Sequence, residues 1–104
     1  MTAPRAFVLV LLVDLHFPDC ASLKAKRSEL NPVKAHLQGR LGASVAEVAH
    51  QEQWQRATLV ATLAAGSTAH LEACADRLEG WLDARFPHGA RVQRLLCSWE
   101  DLAG

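Results

Sequence analysis

Between residues 6 and 17 the chain reads AFVLVLLVDLHF, and every odd position from Phe7 to Phe17 is large and apolar. A period of two predicts a strand that turns this set toward a core. The even positions Val8, Val10 and Leu12 are apolar as well but give way to Asp14 and His16, so the second face is half apolar and half polar. Pro18 and Asp19 end the strand. From Ser22, a suitable N-cap, the period lengthens: Leu23, Leu30, Val33, Leu37 and Leu41 fall near multiples of 3.6 and predict a helix. Pro32 should interrupt this helix, kinking it or delaying its regular start, and Gly42 should stop it.

The stretch 44–59, SVAEVAHQEQWQRATL, reads as the core of a hairpin. Strands are predicted near 44–50 and 55–64, the second opened by Trp54 and Arg56. In that second strand Ala57, Leu59, Ala61 and Leu63 should face inward, and Arg56, Thr58, Val60 and Thr62 outward. A second helix is predicted over 68–86, with an apolar stripe of Leu71, Cys74, Ala75, Leu78, Trp81 and Leu82. Pro87-His88-Gly89 breaks it, a last strand follows near 91–99, and the final residues should fray.

The order strand, helix, strand, strand, helix, strand is the α+β, ferredoxin-like split βαββαβ arrangement. It places a four-stranded antiparallel sheet under two helices that cover one face. A chain of 104 residues fits one such domain over its whole length. The uncovered face would carry Val8, Val10, Leu12 and Val60, an apolar patch that predicts self-association of sheet face against sheet face.

Composition narrows the function classes. Lysine and arginine balance aspartate and glutamate at 11 each, so nucleic acid or membrane could be held only by a local patch. The three cysteines lack a C-x-x-C pair and are odd in number, which suits a reducing, cytoplasmic setting rather than a disulfide framework. The apolar run 7–13 is too short to span a bilayer and is met at once by Asp14, so no membrane association is expected. No paired His or Cys spacing of a zinc site and no glycine-rich phosphate loop are present, so neither metal nor cofactor is expected.

Three motifs, LHFP at 15–18, SLKAKRS at 22–28 and the 44–59 stretch, closely resemble the YlxP-like family of small bacterial proteins of unknown function. The similarity runs in order over essentially the whole chain. It implies a ferredoxin-like fold, self-association, no established activity, and genes placed among those for translation initiation and ribosome maturation. The family's recurring polar positions fall on His16, Ser22, Lys24, Lys26, Arg27, Glu47, Gln51, Trp54 and Arg56. Asp19, Leu12 and Pro32 depart from its pattern.

Two constellations are candidates for function. Lys24, Lys26 and Arg27 crowd the first turns of the first helix, where free amides and cations together could hold a phosphate or an RNA backbone. A solvated charged face is the plainer explanation. The second is a polar cluster, Asp14, His16, Glu47 and Arg56, at one end of the uncovered face, with Gln51 and Trp54 near it. Such a cluster contains the groups of acid–base chemistry but more often fixes the register of an interface. The expected function is a non-enzymatic, homo-oligomeric binding module associated with RNA or the ribosome. The alternatives are a small-ligand or enzymatic site at the cluster, and a protein–protein adaptor.

Overall fold

A computed structural model describes residues 4–104. The first strand, β1 (Phe7–His16), enters α1 (Leu23–Arg40). A hairpin of β2 (Ser44–Ala49) and β3 (Arg56–Ala65) leads to α2 (Thr68–Arg85), and β4 (Ala90–Ser98) closes the sheet. A short helix, α3 (Trp99–Ala103), ends the chain. The sheet order is β2-β3-β1-β4 with every pair antiparallel, which is the ferredoxin-like arrangement the periodicities predict.

The two-residue period of β1 decides the layering. Leu9, Leu11, Val13, Leu15 and Phe17 join Ala57, Leu59, Ala61 and Leu63 of β3 in one buried cluster. Leu30, Val33 and Leu37 of α1 and Leu71, Cys74, Leu78 and Leu82 of α2 complete it. Each fully buried leucine contributes on the order of 1.5–3 kcal/mol of transfer free energy. Both long helices start on serine caps, the Ser22 hydroxyl accepting from Ala25 N–H at 3.0 Å and Ser67 from His70 N–H at 3.3 Å. Gly42 takes φ +70°, and Ala43 N–H donates to the Leu37 carbonyl at 3.0 Å, closing α1 in the left-handed turn that glycine makes without strain.

Three expectations need correction. Pro32 neither interrupts α1 nor delays its start, which falls at Leu23. The proline is exposed, so the Ser28 carbonyl deprived of its helical donor lies where water can reach it. The chain end does not fray: Ser98 and Asp101 form a reciprocal capping box that nucleates α3, and Trp99 belongs to that helix rather than to β4. Trp54 lies in the loop before β3 and is half exposed, outside the buried cluster.

Candidate functional site

The open face of the sheet is built by the residues between the buried ones. The register sets Val8 beside Ala64 and Cys97, Val10 beside Thr62 and Leu95, and Leu12 beside Val60 and Gln93. Among the described residues no helix covers this apolar band, and Leu95 keeps 60% of its surface exposed. At the β1 N-terminal end, a cleft lined by Phe7, Val8, Ala64, Trp99 and Leu102 brings the exposed aromatic and leucine of α3 into continuity with the band.

Toward the other end the same face turns polar. Asp14 sits between Thr58 and Arg91, and His16 lies opposite Arg56. The Thr58 hydroxyl donates to Asp14 Oδ1 at 2.6 Å, which satisfies the hydroxyl of a threonine that is only 5% exposed, beside a half-buried Asp14. Asp14, His16 and Arg56 therefore gather as the sequence suggests.

Glu47 does not join them. It pairs in register with Leu59, a core-facing residue, and so points to the helix side of the sheet. There its Oε2 lies 3.0 Å from the Nζ of Lys26, a charge contact without an aligned hydrogen bond to that oxygen. Lys26 is only 2% exposed and is correspondingly withdrawn from the surface shared by Lys24 and Arg27. Its ammonium also donates to the His50 carbonyl at 2.8 Å and to that of Gln51 at 3.4 Å. His50 takes φ +63°, so the lysine secures a left-handed bend at the start of the hairpin loop. A signal for this was present: Lys26, Leu30, Val33 and Leu37 follow a four–three–four spacing that puts the lysine on the buried stripe. Glu47 likewise shares the parity of Val45, which packs on the core.

The loop that carries Trp54 is fixed from several sides. Gln53 N–H donates to the His50 carbonyl at 3.0 Å, Phe17 N–H to Gln55 at 2.8 Å, and the Gln55 amide to the Cys20 carbonyl at 3.4 Å. Gln51 reaches only the Glu47 carbonyl, at 3.5 Å, and is exposed. Across β1, His16 N–H donates to the Gly89 carbonyl at 2.8 Å. A Cβ on Gly89 would stand 2.8 Å from the His16 carbonyl oxygen, so this close approach requires glycine. The outcome is three adjoining clefts that share His16, of about 400, 350 and 200 Å³. The largest also contains Cys20, whose thiol is pushed above its ordinary range by burial and then by Glu29 and Asp19, which disfavours the thiolate a nucleophile needs.

Among the described residues no cluster of three or more His, Cys, Asp and Glu side chains is arranged to hold a metal ion. None of the helices among the described residues is long and apolar enough to cross a membrane.

Fold and surface together define a small α+β domain with one helix-covered and one uncovered sheet face. Residues 8–93 match the family described as "Protein of unknown function (DUF503)", and the chain belongs to that family. Curated proteins yield no match. Among solved structures, the de novo designed protein Foldit4 is similar at a TM-score of 0.52 and 6% identity, covering 88% of this chain and 96% of its own. The de novo designed protein Ferredog-Diesel gives a TM-score of 0.44 at 13% identity, covering 83% of each chain. The first likeness concerns the fold alone.

Proposed function

We propose that this protein is a non-enzymatic, homo-oligomeric binding module of the YlxP-like kind, acting in the cytoplasm on RNA or the ribosome. The observation that carries the self-association is the apolar band of Val8, Val10, Leu12, Val60 and Leu95 at the centre of an uncovered sheet. Patches of this kind on soluble proteins mark contact sites, and a sheet face can meet its own copy about a twofold axis. Lys24 and Arg27 are both exposed on the first turns of α1 and supply the phosphate contact, while Lys26 acts behind them by holding the hairpin loop. The support for RNA is this local charge together with the resemblance of the sequence motifs, since the net charge of the whole chain is zero.

Light scattering coupled to gel filtration tests the first part. Wild-type protein should elute at a multiple of its 11.3 kDa chain mass, and Leu12→Lys with Leu95→Lys should return it to the monomer with its circular dichroism unchanged. A wild-type monomer at 100 µM (roughly a hundred times a micromolar Kd) would sink the self-association. Cosedimentation with ribosomes, compared between wild type and Lys24→Ala/Arg27→Ala, tests the second. An unchanged bound fraction rejects the α1 contact.

A further inference from the structure

Two arginines reach the polar end of the sheet without an acidic partner. Arg56, the first residue of β3, lies opposite His16, and Arg91, near the start of β4, lies opposite Asp14. Both line the cleft of about 200 Å³, together with His88. Among the described residues neither arginine makes an ion pair. The one carboxylate lining this cleft, Asp14, already accepts the Thr58 hydroxyl. The local balance is therefore cationic in a chain whose net charge is zero. Guanidinium groups bind phosphate oxygens in a bidentate fashion, and these two, on the strands that flank β1, line one cleft and can approach a single such group from either side. The volume is below the roughly 300–1,000 Å³ of a pocket for a whole drug-sized ligand, so it suits a headgroup rather than an entire molecule.

The remainder of the ligand has a place to go. The cleft of about 350 Å³ adjoins the first through the shared His16 and Arg56, and its other wall is Trp54 with Glu52, Gln53 and Gln55. Trp54 is 50% exposed on a loop tied down through His50, Gln53 and Gln55. A half-exposed indole on a fixed loop is a stacking platform for a base. Glu52 and Gln53 offer an acceptor and a donor to the edge of a stacked ring.

We infer that the two clefts together form a nucleotide-binding site, Arg56 and Arg91 holding a phosphate and Trp54 stacking on the base. The site lies at the end of the open face, apart from the apolar band and from Lys24 and Arg27 on α1. It replaces the Asp14–His16–Glu47–Arg56 arrangement with one in which Arg91 and His88 take the place of Glu47. Its ligand chemistry, a phosphate ester carried on an aromatic base, is shared by free mononucleotides and by single-stranded RNA.

Amide and indole NMR spectra of the full chain, titrated separately with cytidine 5′-monophosphate, a single-stranded hexaribonucleotide and inorganic phosphate, test this inference. Saturable shifts at the Trp54 indole and at Arg56 and Arg91 with the mononucleotide identify a free nucleotide as ligand. The same shifts with the hexaribonucleotide alone identify an RNA strand. Arg56→Ala/Arg91→Ala should weaken binding at least tenfold with the spectrum otherwise retained. Trp54→Ala should weaken nucleotide binding while leaving any response to inorganic phosphate in place. Absence of saturation by 10 mM of every probe, or binding indifferent to the arginine pair, overturns the inference. So does inorganic phosphate matching the nucleotide without moving the Trp54 indole. Lys24→Ala/Arg27→Ala should leave these titrations unchanged, so failure here is distinct from failure of the α1 contact, and Leu12→Lys/Leu95→Lys separates it from self-association.

Discussion

Leu9, Leu11, Val13 and Leu15 of β1 are at most 2% exposed, whereas Val8, Val10 and Leu12 on the same strand keep partial access to solvent. The backbone and the neighbouring strands are common to both sets. What differs is that α1 and α2 cover one side only, so residues one position apart answer to different demands. On the covered side the demand is volume and the exclusion of water. On the open side it is tolerance of water, and there the strand can change from valine and leucine to Asp14 and His16 without losing the sheet.

The largest effect should come from testing the two sides directly. Leu11→Ala removes a fully buried side chain at the centre of the cluster and should cost about 3 kcal/mol in urea unfolding. Val10→Ala, one residue away, should cost well under half of that in the monomer, since most of its face is uncovered. Equal losses would mean that the open face contributes to the core of the single chain, and the contrast between the sides would collapse.

Lys26 is the exception on the covered side, a charge on the apolar stripe of α1. Lys26→Met keeps the volume but strands Glu47 beside the core and releases the His50 and Gln51 carbonyls. Removing one member of a buried pair costs about 3–5 kcal/mol, and the partial exposure of Glu47 brings the expected loss nearer 2–3 kcal/mol. Hydrogen exchange at the Gln53 amide, bonded to the His50 carbonyl, should accelerate more than exchange in β1. Uniform acceleration across the sheet would show that the lysine acts on global stability alone and does not hold the loop.

The smallest effect concerns the seam between the helices. His36 stacks on Trp81 with ring centroids 3.9 Å apart and planes 8° from parallel. Burial, then the charges of Arg40 and Arg85, lowers its pKa below the ordinary 6.5. The unfolded chain thus takes up this proton at a higher pH than the folded one. Stability should be level above about pH 6.5 and fall as pH drops from there toward the depressed value, by an amount reduced by solvent screening. His36→Gln should remove that slope in thermal melts between pH 7.5 and 5. A slope that survives the substitution would place its source in another group.

Much of this was written in local pattern. The odd positions of β1, the serine caps, Gly42 and the stripe of α2 all follow from periods and residue types acting over a few neighbours. The misplaced charges were legible too, since Lys26 keeps the spacing of Leu30, Val33 and Leu37, and Glu47 keeps the parity of Val45. They read as surface groups because charge outweighed position. The same holds for Ser98 and Asp101, whose three-residue separation is a helix-start signal at a chain end expected to fray.

By itself, then, the sequence determined the element order, the buried faces of β1, β3, α1 and α2, and the gathering of Asp14, His16 and Arg56, because β1 and β3 are antiparallel neighbours in a βαββαβ chain. Only the tertiary structure decided that Arg91 stands opposite Asp14, that Gly89 closes on His16, and that Glu47 turns away to meet Lys26. Those contacts join residues 21 to 77 positions apart, from Lys26–Glu47 to Asp14–Arg91, or are set by the register of an edge strand. Register depends on how whole faces pack, and no local period of the chain encodes it.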